Sequence, residues 1–187
     1  MDFDLTTLLL CATALLLFLI AIFCAILCMV TTPYPVVIRM EEEKFFRDPV
    51  SKEKNKFPSL DEPWSVHLSV IIPAYNEEKR LPPMLKECLS FLSSRQPNFC
   101  YELIVVSDGS SDGTVEVALS SGNPHIRTLD LKQNRGKGGA VRLGVESSRG
   151  AVILFADADG ATLFSDLTKL EASLQELVKG KYLWFCI

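Results

Sequence analysis

Asp157 and Asp159 stand either side of a single alanine in the stretch "LFADADGATLF", at the end of a short apolar run over 151–156. Two carboxylates spaced in this way can turn their oxygens toward one point. Hard oxygen donors of that kind suit Mg2+ or Mn2+, which keep some water and take further ligands from phosphates. Asp157 and Asp159 are therefore candidates both as metal ligands and as catalytic residues. The plainer alternative is an acidic turn in which Asp159 and Gly160 make the bend.

Three other polar segments bear on that choice. In "PAYNEE", Pro73 and Tyr75 can flank a planar base and Glu78 can reach a ribose hydroxyl, although each alone is an ordinary packing or turn residue. In "SDGSSDGT", Asp108 is suited to accept a hydrogen bond from an imide N–H such as that of uracil, or equally to close a turn on its own backbone. Asp112 or Ser111 caps a helix that begins near Thr114. "KQNRGKGGA" sets Lys132, Arg135 and Lys137 among glycines at a helix start, where free backbone N–H groups and the helix dipole favour a diphosphate. The alternative there is a solvated basic loop. It is not a Walker A loop, because Gly138 and Gly139 stand where Ser or Thr is needed. A metal on the two aspartates would bridge such a diphosphate and neutralise charge on a departing nucleoside diphosphate.

These segments need a scaffold that brings them together. Each follows an apolar run, and the runs at 68–72, 102–106, 126–131 and 151–156 read as strands. Helical periodicity lies after or between them over 82–94, 114–120, 138–148 and 165–178. Alternation of this type predicts an α/β fold: a Rossmann-like, mostly parallel sheet with flanking helices. Its ligands belong at the carboxyl ends of the strands, where all four polar segments fall. The continuous apolarity of 151–156 predicts a strand covered on both faces. Leu167, Leu170, Leu174 and Leu177 recur at the spacing of a buried helical stripe.

The chain has 187 residues and a formal charge of −4, with no basic face of the kind a nucleic acid requires. Three of its six cysteines, Cys11, Cys24 and Cys28, lie in an uncharged apolar stretch over 5–30. Cys88, Cys100 and Cys186 lack C-x-x-C spacing, so neither a disulfide framework nor a structural zinc site is indicated. The stretch over 5–30 is long enough to cross a bilayer as one helix, and its acidic leading end with Asp2 and Asp4 is unlike a signal peptide. Arg39 and Lys44 after it place the remainder in the cytosol by the positive-inside tendency. The resulting division is a membrane anchor over 1–30, a proline-punctuated linker over 31–63 in which "EEEKFF" forms a short helix, and the α/β domain that carries the four polar segments over 64–187.

The ordered set "SVIIPAYNEEKRLP", "IVVSDGSSDGT", "NRGKGGAVRLG", "SSRG" and "ADADGAT", behind a span and "EEEKFF", resembles the dolichyl-phosphate β-glucosyltransferases within glycosyltransferase family 2. The resemblance implies a GT-A fold anchored once in the endoplasmic reticulum membrane, with its soluble domain in the cytosol. It implies inverting transfer of glucose from UDP-glucose to dolichyl phosphate, for protein N-glycosylation. By the same likeness Pro73, Tyr75, Glu77 and Asp108 line the nucleoside pocket, Arg135 and Lys137 serve the diphosphate, and Asp157 and Asp159 form the Asp-x-Asp metal motif. Ser107 departs from the family's usual acidic residue. The chain also stops after "GKYLWFCI", unlike the family's longer continuation, so the expectation is an incomplete domain that binds donor with little turnover. The rival readings are a non-catalytic membrane-anchored protein and a nucleotidyltransferase, the latter calling for a glycine-rich loop where "PAYNEE" stands.

Overall fold

The computed structural model describes residues 4–31 and 37–180, and its chain divides into two units, 1–36 and 37–187. The "WFCI" end and the first residues of the expected linker lie outside the described residues. In the first unit, α1 (Leu5–Val30) is a helix of 26 residues whose described side chains are exposed. At 1.5 Å per residue it is about 39 Å long, more than the hydrocarbon thickness of a bilayer. By length and composition it can cross a membrane.

The second unit is built on a six-stranded sheet. Its strands are β1 (Phe45–Arg47), β2 (Lys54–Lys56), β3 (Val66–Ala74), β4 (Tyr101–Asp108), β5 (Ile126–Leu131) and β6 (Gly150–Phe155), in the spatial order β2-β1-β5-β4-β3-β6. The last four in that order are parallel, while β1 runs antiparallel to β5 and β2 antiparallel to β1. Helices α2 (Leu81–Ser93), α3 (Thr114–Ser120), α4 (Gly136–Val145) and α5 (Leu167–Gly180) complete the unit. The chain order runs from β3 outward to β5, then returns to the other side of β3 as β6. The loops after β3 and β6 therefore flank the point where strand order reverses, which is where open α/β sheets leave a crevice for ligands.

Alternation along the central strands divides the core in two. Leu68, Val70 and Ile72 of β3, with Leu103 and Val105 of β4, face Leu81, Leu85, Cys88 and Leu92 of α2 and Ala118 of α3. Ile71, Ile104 and Val106 face the other way, against Ala140 and Leu143 of α4. Burial pushes the Cys88 thiol well above its ordinary pKa, so it is a packing residue.

The residues expected to link anchor and domain belong, from 37 onward, to the compact unit: Phe46 and Phe57 pack in the core at 4.9 Å between ring centroids, and Arg47 pairs with Thr128 of β5. Within "EEEKFF", Glu41–Lys44 form a short 3-10 helix, as expected, which runs straight into β1. The expectation of a strand covered on both faces over 151–156 is corrected: among the described residues β6 pairs with β3 alone and is an edge strand with Phe155 60% exposed. The leucine stripe of α5 likewise buries Leu167 but leaves Leu170 and Leu177 exposed, because only the first turn of that helix meets the core.

Candidate functional site

Asp157 and Asp159 leave the end of β6 on either side of Ala158, which is buried in the core. Fixing Ala158 inward turns both flanking carboxylates to solvent, where both residues are exposed. Asp159 also steadies its own turn, one carboxylate oxygen accepting from the N–H of Ala161 at 3.0 Å. The ammonium of Lys137, in the first turn of α4, lies 2.6 Å from Oδ1 of Asp157. Both partners are more than half exposed, so this pair adds little stability. Its meaning is geometric: the loop after β6 and the glycine-lysine loop meet through Asp157 and Lys137, 20 residues apart in sequence.

Asp108 ends β4 and is buried, with Oδ1 accepting from the N–H of Arg135 at 2.7 Å. Gly109 follows with a φ of 68°, and a Cβ there would stand 2.9 Å from the backbone N of Asn134. The left-handed conformation and the close approach both call for glycine. Asp108 thus ties the end of β4 to the loop after β5, and one of its oxygens is committed to that tie.

The loop after β3 is joined to the one after β4. Asn76, in the left-handed region at a φ of 57°, donates its N–H to Oγ of Ser110 at 3.2 Å and accepts from the N–H of Ser111 at 2.9 Å. The Glu77 N–H donates to the Thr114 hydroxyl oxygen at 2.8 Å, and the Glu78 N–H to Asp112 at 3.1 Å. Asp112 also accepts from the Thr114 N–H at 3.0 Å and from its hydroxyl. Although burial opposes ionisation of Asp112, the Thr114 and Glu78 donors outweigh it and hold the carboxyl below its ordinary pKa. Asp112 is structural, as its turn chemistry suggests. Glu78 is also spent within the loops, accepting from the N–H of Gly113 at 3.3 Å.

Pro73 is half-buried at the end of β3 and Tyr75 is exposed beside it. Glu77 gives one oxygen to Arg80 at 2.5 Å, while its other, Oε2, is buried with no hydrogen-bond partner among the described residues. A buried carboxylate oxygen left without a donor still has an acceptor to satisfy.

Arg135 does not stand free for a diphosphate. Its guanidinium pairs at 2.8 Å with Glu43, whose side chain is wholly buried. Glu43 accepts in addition from the N–H groups of Lys132 at 3.0 Å and Met40 at 2.9 Å. Burial opposes its ionisation, yet the Arg135 and backbone donors prevail and lower its pKa. Glu43 had no signal in the sequence, since it is one of three consecutive glutamates and its partners Lys132 and Arg135 lie about ninety positions away.

A cleft of about 200 Å3 adjoins Asp157 between β6 and α5, walled by Met84, Leu154, Phe155, Leu163 and Phe164. A larger groove of about 600 Å3 between α2 and α3 contains none of the candidate residues. Among the described residues no cluster of three or more His, Cys, Asp or Glu side chains could hold a metal alone. Asp157 and Asp159 would supply two oxygen ligands, which fits a cation that takes its other ligands from phosphates and water.

Residues 69–181 match the family Glycosyl transferase family 2. The chain is 55% identical over 154 residues to a dolichyl-phosphate beta-glucosyltransferase of Drosophila melanogaster, covering 79% of this chain and 47% of that one. It is 50% identical over 153 residues to the Homo sapiens enzyme of the same name, covering 78% and 47%. The chain thus spans about half the length of the curated relatives it matches. Among solved structures, S. aureus TarS in complex with UDP-GlcNAc is 28% identical with a TM-score of 0.47, covering 59% of this chain and 31% of that one. The family match runs through all four strand-end loops, from the serine that opens "SVIIPAYNEE" past the acidic pair. On that match the chain belongs to glycosyltransferase family 2.

Proposed function

We propose that this chain forms the donor side of a dolichyl-phosphate β-glucosyltransferase that takes glucose from UDP-glucose with inversion. The observation that carries the reading is the contact of Lys137 with Asp157 at the point where strand order reverses. It gathers an anion-binding loop and an acidic pair where a sugar diphosphate needs both. The names of the relatives support glucose and dolichyl phosphate as sugar and acceptor. In this reading Pro73 and Tyr75 flank the uracil, the orphaned oxygen of Glu77 accepts from a ribose hydroxyl, and the remaining oxygen of Asp108 meets the uracil imide.

Mg2+ or Mn2+ held by Asp157 and Asp159 would supply Lewis-acid neutralisation of the diphosphate. Lys137 swings from Asp157 to the diphosphate oxygens and adds its own positive charge where the leaving group forms. The acceptor needs no base from the protein: a phosphate monoester has its second pKa near 6 and is largely a dianion at neutral pH. Its oxygen forms the new bond to the anomeric carbon while the bond to the UDP oxygen breaks, and the electron pair leaves with UDP. We further assign α1 to the endoplasmic reticulum membrane, with the domain on the cytosolic side.

Titration calorimetry with UDP-glucose and Mn2+ tests the donor site. The expected result is binding that requires the metal and is lost in Asp159→Ala. A folded sample that binds no donor, or binds equally well with a chelator present, overturns the reading and leaves the fold without this chemistry.

A further inference from the structure

The segment just ahead of β1 reaches the loop after β5. Glu43 accepts from both ends of the loop after β5: the N–H of Lys132 where β5 stops, and the guanidinium of Arg135 where α4 is about to start. Its second oxygen takes the N–H of Met40, closing its own 3-10 turn. Arg39 secures that turn in its place, donating to the Glu43 carbonyl at 2.9 Å and to the Ser147 hydroxyl beyond α4 at 2.7 Å. Arg135 is in turn held by its backbone, through the N–H that Asp108 accepts. The fit is close: a Cβ on Gly139 would lie 2.7 Å from the Cβ of Arg135, so a bare backbone at 139 leaves room for the guanidinium to fold back toward Glu43.

From this arrangement we infer that Glu43 is a positioning residue: through Arg135 it fixes the glycine-lysine loop, and hence Lys137, at the end of the sheet. A buried carboxylate that collects three donors has one geometry in which all are satisfied, and that geometry sets where the loop begins and ends. The residue touches neither Lys137 nor the acidic pair and acts only through Arg135 and the loop. What the loop holds rests on the donor reading above; that Glu43 holds the loop does not.

The test uses the full chain in detergent, with Glu43→Gln and Arg135→Met as two independent lesions and Glu41→Gln as control, since Glu41 is 85% exposed and its ion pair is with the nearby Lys44. Amide hydrogen exchange over 133–139 is expected to accelerate about tenfold in both lesions while β3 and β4 exchange as before, because a lost charged hydrogen bond loosens its own neighbourhood first. Calorimetry with UDP-glucose and Mn2+ should show the dissociation constant rising by a similar factor. Adding Arg135→Met to Glu43→Gln should cost little more, as expected of two residues that act as one unit. Unchanged exchange in the loop, or acceleration spread equally over β3 and β4 in both lesions, overturns the inference. If the unaltered chain binds no donor yet its loop loosens in the lesions, the positioning role stands and the donor reading falls.

Discussion

Asp108 serves two purposes with one carboxylate, and they are separable by substitution. Its Oδ1 accepts from the Arg135 N–H, a structural duty, and its other oxygen is the one assigned to the base. An asparagine keeps an acceptor in place, whereas an alanine leaves a partly buried N–H without one. Asp108→Ala is therefore expected to lower stability by about 1–3 kcal/mol and Asp108→Asn by distinctly less, measured as the shift in urea midpoint. Equal losses would mean that the Arg135 N–H is not what Asp108 stabilises. Arg135 shows the limit of reading such residues singly. As part of "NRGKGG" it looks free to meet a phosphate, but whether a cation is spent inside the protein depends on a partner distant in sequence, here Glu43. Lys137 in the same motif is more than half exposed and reaches Asp157 instead of a buried partner.

Elements were legible in proportion to how local their causes are. Residues 126–131, where apolar Ile126, Leu129 and Leu131 are interspersed with polar residues, and 114–120 carry local patterns that match β5 and α3. β1 and β2 have three residues each and exist because Arg47 finds Thr128, a pairing that no local pattern announces. The stripe on α5 shows a different limit: periodicity identifies which face of a helix is apolar, not whether anything covers it. Helix α4 offers a test of how tightly an element is held. A Cβ on Gly144 would sit 2.4 Å from a methyl carbon of Ile71 and 2.9 Å from one of Val106, both stiff β-branched side chains in the sheet. Overpacking of that severity costs about 1–3 kcal/mol, and the helix propensity of alanine returns up to about 1. Gly144→Ala should accordingly lower the thermal midpoint by several degrees with unchanged secondary structure. A neutral or stabilising result would show that α4 shifts on the sheet at little cost.

With α1 assigned to a membrane as proposed, the question for the molecule as a whole is which side its candidate site faces. The described part of α1 carries no charge between Leu5 and Val30, so nothing within it favours a direction; the flanks must decide. Basic residues near a span are retained on the cytosolic side, and Arg39 and Lys44 are the first on the carboxyl-terminal flank. The structure qualifies that argument, because Arg39 is committed to Glu43 and Ser147 and Lys44 pairs with Glu41. Those contacts form after the domain folds, whereas orientation is set as the span inserts, so the two lysine and arginine charges still count when it matters. In sealed microsomes made with this chain, added protease is therefore expected to digest the domain while a fragment of the size of α1 survives, and alkaline carbonate should leave that fragment in the membrane pellet. A domain fully protected until detergent is added would put Asp157, Asp159 and Lys137 on the lumenal side. It would separate them from a cytosolic nucleotide-sugar supply and remove the membrane part of the proposed function without touching the donor site itself.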